Sequence, residues 1–261
     1  MQTGMRLDVA EGIARIVFCD AARGNPIDGR FCAEISEIAN LLSEDKNVRC
    51  VLITAEGKNF SFGGDIGAFA YDLDSLPLKI KRWTTPLHSA IARLQRMDAP
   101  IVTAIQGVCA GGMSGFMAGS DIIVAGDNAR FVAAYAGIGY CCDASTSVMY
   151  SRRMGLGSAR KFLLLNETMT AEQALAAGLA DEVAPVDKLL VRAEQIAVQL
   201  AAGPTRAFGE IRRLLLSAND QALEAQLELE AQALARTTGT RDAREGLIAF
   251  TEKRKPAFKG E

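Results

Sequence analysis

Apolar positions along this chain alternate between two spacings, and each switch marks an element. Leu7 to Val9 and Ile13 to Phe18 are short apolar runs parted by Glu11-Gly12, the signature of a hairpin. Phe31, Ile35, Ile38, Leu41 and Leu42 recur at helical spacing and predict an amphipathic helix over 29–44. A strand follows at 48–54, and a wholly apolar one at Ile101 to Ile105. Between them, 67–82 carries Asp72, Asp74, Pro77, Lys79, Lys81 and Arg82 and predicts a mobile polar cover; Thr85-Pro86 then opens a helix faced by Leu87, Ile91 and Leu94. Met154-Gly155-Leu156-Gly157 breaks a helix, and 158–165 forms another. Thr170 and Gln173 make a capping box for the next helix, which Gly178 ends. A short edge strand at 181–184 stops at Pro185, and the remainder is helical: 187–201, 205–217, 221–238 and 241–254. Strands that alternate with helices, then helices alone, make an α/β fold with a helical tail, divided at 1–200 and 201–261.

Two strand ends run into glycine pairs. The first is Asn59-Phe60-Ser61-Phe62-Gly63-Gly64-Asp65-Ile66; the second is Ala110-Gly111-Gly112-Met113-Ser114-Gly115. A strand that turns through glycine into a helix leaves unpaired N–H groups facing outward, ready for a negative oxygen. No Lys follows these glycines as a phosphate loop requires, and Gly137-Ile138-Gly139 meets Cys142 where a dinucleotide fingerprint has its third Gly. Gly112-Met113-Ser114-Gly115-Phe116 lacks the closing Gly of a nucleophile elbow, and the one His, His88, precedes Ser114. Two glycine turns from neighbouring strands, each aiming one N–H at a single point, would form an oxyanion hole; the plainer alternative is two tight turns.

Composition narrows the choice. A formal charge of −2 leaves no basic footprint for nucleic acid. The six cysteines show no C-x-x-C spacing, and with one His no metal site is expected, so reduced thiols in the cytoplasm are the plain reading. The N-terminal residues lack an apolar signal core, and no apolar run reaches the roughly 18 residues of a membrane span.

Taken together, these residues resemble the crotonase (enoyl-CoA hydratase/isomerase) superfamily. The matching stretches are Phe60 to Ile66, Pro100 to Gly107 with Gly111-Gly112, Asp121 to Ala125, Leu165 to Val183, and Phe250 to Phe258. The resemblance covers nearly the whole chain. It implies a spiral of repeated β-β-α units with a C-terminal helical region that builds trimers, often paired as hexamers. It implies an acyl-CoA thioester as substrate, coenzyme A being part of that substrate and no separate cofactor. By carry-over, Gly64 and Gly112 donate the two N–H groups, and Ser61, Gly63, Asp65, Ile66 and Gly111 surround them. Arg23, Asn25 and Pro26 lie in the loop along CoA, with Arg23 placed to meet phosphate or else simply solvated. Phe250 and Lys253 reach a CoA bound to a neighbouring subunit.

The hydratases of this family use two Glu residues, and here those positions fall on Gly115 and Tyr135. The carboxylate that remains is Asp143, four residues after Gly139 and preceded by Cys142 where single-acid members have Pro. Hydration favours two acid/base groups, whereas moving a double bond needs only one base, with an enolate in between. Asp143 as that base makes isomerisation the easier role; hydration stays possible with Tyr135 or His88 holding water. Three alternatives stay open. Asp143 is a nucleophile helped by His88, as in the family's aryl-CoA dehalogenases, with Tyr135 replacing their Trp. Asp143 is only a helix N-cap. Or the protein binds acyl-CoA without turning it over.

Overall fold

The computed structural model describes residues 4–261. Nine strands divide into a six-stranded and a three-stranded sheet, and ten α-helices surround them among the described residues. The larger sheet runs β1 (Met5–Ala10), β2 (Ile13–Phe18), β3 (Cys50–Ala55), β4 (Ile101–Ile105), β6 (Ile122–Gly126), β9 (Glu182–Ala184). Only the β1–β2 hairpin in it is antiparallel. The smaller sheet joins β5 (Val108–Ala110), β7 (Arg130–Val132) and β8 (Thr168–Thr170).

The spiral follows from how the chain visits the two sheets. From β4 it crosses to β5, returns to β6, and crosses again to β7. The turn before does the same: β3 lies in the large sheet, and Ser61 then pairs in parallel with Cys109 of β5. Three successive turns thus stack in register, each handing one segment to each sheet.

Strand periodicity sorts the core into two layers. Val51 and Ile53 face the main core with Phe18, Phe31, Ile35, Leu87, Leu94 and Phe131. Cys50, Leu52, Val102, Ala104 and Val124 point the other way, against Leu189, Ala193 and Ala197 of α7 (Leu189–Ala201). The sheet is buried on both faces, which explains why β4 is apolar at nearly every position.

Helix α1 (Gly29–Glu44) matches its apolar period and is capped by Asp28, whose side chain accepts from Phe31 N–H. The polar stretch 67–82 corrects the expectation of a cover. It folds into α2 (Ile66–Ala70) and the opening turns of α3 (Leu76–Arg96), so Pro86 sits inside a helix instead of starting one. Pro77, in the first turn of α3, is the proline that begins it, where its missing N–H costs nothing. After α4 (Gly111–Met117), α5 (Thr146–Leu164) bends at Gly155, whose φ of 75° is open to glycine without strain. α6 (Ala171–Ala177) carries the capping box and ends at Gly178. The tail is α8 (Thr205–Ser217), α9 (Leu223–Thr238) and α10 (Arg241–Thr251). Arg212 anchors α8 by donating to the Met97, Ala99 and Leu94 carbonyls and to Asp121.

Candidate active site

The two glycine turns meet because their strands are in register. Gly64 lies three residues beyond Ser61, and Gly112 three beyond Cys109, which is the partner of Ser61. Ser61 N–H donates to Val108 O, and Ala110 N–H donates to Ser61 O, so the chains leave the small sheet side by side. The turns touch: a Cβ on Gly63, where φ is +84°, would stand 2.7 Å from Ala110 O. Bonding around the turn then decides which donors stay free. In the parallel bridge to Ile27, Gly63 O and Asp65 N are used, and no acceptor among the described residues takes Gly64 N–H. Gly112 is the second residue of α4, so its N–H has no partner within the helix. Both glycines line one cavity of about 850 Å³.

That cavity also holds Asp143 and Tyr135. Asp143 is its only charged wall residue among those described; most of the rest are apolar or aromatic. The carboxylate is not an N-cap. Ser145 occupies the N-cap position of α5, and Asp143 Oδ1 instead meets His88 Nε2 at 2.6 Å. An ionised carboxylate only accepts, so Nε2 donates. Both side chains are partly exposed, at 52% for His88 and 39% for Asp143. The Asp143 backbone is fixed from behind: its carbonyl accepts from Thr146 N–H at 3.0 Å, Thr146 Oγ1 at 2.5 Å and Tyr135 OH at 3.2 Å. Ala134, Ala144 and Ser145 all hold left-handed backbone, with φ of 59°, 51° and 66°. Three non-glycine residues in that region cost free energy that the surrounding contacts must supply, a pattern common where geometry serves a reaction.

The positions where hydratases carry glutamate are filled differently. A Cβ on Gly115 would overlap the Thr146 hydroxyl. Tyr135 OH is within 3.2 Å of Thr146 Oγ1, and burial pushes its phenol up to about 12, so it stays neutral at ordinary pH. Cys32 also reaches the cavity, but burial pushes its thiol up to about 12 and leaves no thiolate to attack. Ser114 is buried, with its hydroxyl 2.5 Å from that of Tyr150 and no histidine bonded to it.

The remaining residues singled out in the sequence stand off the cavity wall, apart from Ile66 and Gly111, which line it. The Arg23 guanidinium is engaged by Asp20, Asp28 and Asp65 at 2.9, 2.9 and 2.5 Å, which hold its proton more firmly, Asp28 foremost. Three carboxylates therefore occupy the group expected to meet phosphate. Asp65 caps α2 through Ala68 N–H, and this bond, then Arg23, holds its carboxyl below the usual range. Asn25 is buried and donates to the Glu56 and Phe60 carbonyls; Ser61, also buried, donates to Asn25 O and accepts from Gly63 N–H. Pro26 is buried beside them. Asn25 and Ser61 thus brace the first turn, and their side chains are supports where substrate contacts were expected. Gly139 ends a single 3-10 turn, and Phe250 and Lys253 are exposed on and just after α10. Phe69 and Trp83 also line the cavity, although the sequence did not mark them as site residues. Phe69 lies within the polar stretch 67–82 and Trp83 directly follows it, and their aromatic character was the available signal.

The family description enoyl-CoA hydratase/isomerase matches residues 8–261. The chain belongs to the enoyl-CoA hydratase/isomerase family. Within it, the chain is 30% identical to the 1,2-epoxyphenylacetyl-CoA isomerase of Escherichia coli K12, over 97% of each chain. It is also 30% identical to a 4-chlorobenzoyl coenzyme A dehalogenase of an Arthrobacter species, over 93% of this chain and 88% of that one. An enoyl-CoA hydratase from Polaromonas sp. JS666 has the same crotonase fold, with a TM-score of 0.92 at 25% identity, covering 98% of this chain and 99% of that one. Family membership makes this an acyl-CoA-processing protein. Among the described residues, no helix is long and apolar enough to cross a membrane.

Proposed function

We propose that this enoyl-CoA hydratase/isomerase family member moves a double bond within an enoyl-CoA. Gly64 and Gly112 N–H would hold the thioester oxygen as it gains charge, and Asp143 would carry the proton from one carbon to another. One observation supports this over hydration: a single carboxylate faces the cavity, while the second acid/base positions are closed by Thr146 against Gly115 and by neutral Tyr135. Removing a proton beside a thioester builds an enolate, and two fixed donors are worth most where charge develops in a water-poor site. Asp143 is partly exposed and stands on a largely apolar wall, within reach of a substrate carbon beside the thioester. The reaction calls for nothing beyond the CoA the substrate carries. The test is product analysis with a 3-enoyl-CoA and a 2-enoyl-CoA side by side: isomer without hydroxyacyl product supports the reading, and hydroxyacyl product from the 2-enoyl thioester overturns it.

The His88 contact favours a second reading, substitution on an aryl thioester. There Asp143 would displace a halide from the ring, and once that carboxylate is esterified His88, in the tautomer that leaves Nε2 bare, would draw a proton onto Nε2 from the water that cleaves the ester. Halide release from a halo-aryl-CoA, lost in Asp143→Asn, would establish it. The same reading extends to assembly as a trimer or hexamer, supported by the exposed Leu223, Leu227, Leu234 and Leu247 of α9 and α10; sedimentation velocity tests it.

A further inference from the structure

The wall facing Asp143 is aromatic, and it begins at the oxyanion glycine itself. A Cβ on Gly64 would meet the Phe69 ring edge at 2.9 Å, so that ring lies against the backbone expected to hold the thioester oxygen. Phe69 continues the surface in two directions. Its centroid is 6.0 Å from that of Trp83, with planes 39° apart, and 6.4 Å from that of Tyr140, with planes 32° apart. Trp83 is seated by Gly29, where a Cβ would come within 2.6 Å of the indole Nε1. Phe62 extends the apolar surface. The carbons next to the thioester carbonyl therefore face ring surfaces.

Charge sets the second constraint. No Lys, Arg or His is among the described wall residues, and the one charge there is the Asp143 carboxylate. Lys79 stands outside the wall, with its Nζ 5.8 Å from the Trp83 ring centroid. A carboxylate at the far end of an acyl group would thus be desolvated against apolar wall, in the field of a like charge.

We infer that the pocket selects an uncharged acyl group with an aromatic ring close to the carbonyl, and that Phe69, Trp83 and Tyr140 determine this selectivity. A ring gains offset or edge contacts with them and loses fewer torsional freedoms on binding than a straight chain. The inference rests on the acyl-CoA reading of the site and narrows its substrate class.

The test uses calorimetric titration of the full-length protein with three thioesters of equal acyl carbon count: phenylacetyl-CoA, octanoyl-CoA and an eight-carbon ω-carboxyacyl-CoA. Phenylacetyl-CoA binds about tenfold more tightly than octanoyl-CoA, from one to two aromatic contacts. The ω-carboxy thioester binds more weakly than either. In Trp83→Leu and Phe69→Leu the preference for the ring falls toward unity, with circular dichroism showing that each variant is folded; Trp83→Phe, a smaller ring at the same place, retains part of it. Octanoyl-CoA binding as tightly as the ring thioester, or a preference unchanged in both leucine variants, overturns the inference while leaving the acyl-CoA reading intact. Failure of all three thioesters to bind overturns both.

Discussion

The cavity has two walls built on different principles. One is the glycine wall, where the turns at 63–64 and 111–112 leave the small sheet side by side and present backbone. Its supports are buried and bonded: Ser61 to Asn25 and Gly63, Asn25 to Glu56 and Phe60. The other is the aromatic wall, made of side chains from α2, α3 and the segment after β7, with Tyr140 and Phe62 partly open to solvent. Backbone donors cannot be exchanged one for another, so the first wall is suited to a step every substrate shares. Side chains can be, so the second is where one acyl group is told from another. Changes to the first should damage turnover or folding, and changes to the second should alter choice.

The largest test of that contrast is Asp143→Asn, which keeps shape and removes the base. Turnover should fall by about 10³-fold, within the usual range for positioned acid/base groups, while thioester affinity stays within a few-fold. Comparable losses in both would mean that the carboxylate contributes mainly to binding.

Gly115→Glu comes next. Restoring a carboxylate at that position should not create a hydratase, because the new side chain collides with Thr146. Overpacking should lower stability by about 1–3 kcal/mol in urea denaturation. Adding Thr146→Gly should recover part of it by clearing the space.

His88→Gln is a smaller perturbation and separates the two chemistries. A double-bond shift needs only Asp143, and the Gln amide keeps an N–H donor for it, so isomerisation should drop by about tenfold or less. Substitution on a ring needs the histidine to activate water and should instead accumulate an Asp143 ester, visible as a mass increase on the intact protein.

Tyr135→Phe should have the smallest effect, about 1 kcal/mol from hydrogen bonds to Asp143 O and Thr146. It carries a distinct pH signature. In the unfolded chain tyrosine ionises near 10, whereas in the fold burial pushes Tyr135 up to about 12. Above about pH 10 the unfolded state binds fewer protons than the folded one, so stability falls as pH rises through that window. The Phe variant should lose this component of the alkaline slope, measured by denaturant midpoints between pH 9 and 11.

Much of this was legible in the chain. Periodicity placed α1 and the paired apolar strands, and the glycine pairs together with the stretches around them pointed to the family. Misreadings came where local chemistry had two uses. Pro86 looked like a helix start because proline is favoured there, yet flanking turns carried the helix through it. Asp72, Lys79 and Arg82 made 67–82 look like a loop, although Phe69 within it and Trp83 directly after it line the cavity. Asn25, Ser61 and Arg23 belong to conspicuous motifs, but burial and ion pairing turn their side chains toward holding the turn.

By itself the sequence determined the family, the two glycine turns and the survival of one carboxylate where hydratases carry two, because turn chemistry and residue identity are local properties. Only the tertiary structure decided that Ser61 pairs with Cys109, that His88 meets Asp143 across 55 positions of chain, and that Thr146 fills the space beside Gly115. Those are facts of register and packing, set by how distant segments share one core, and no spacing along the chain encodes them.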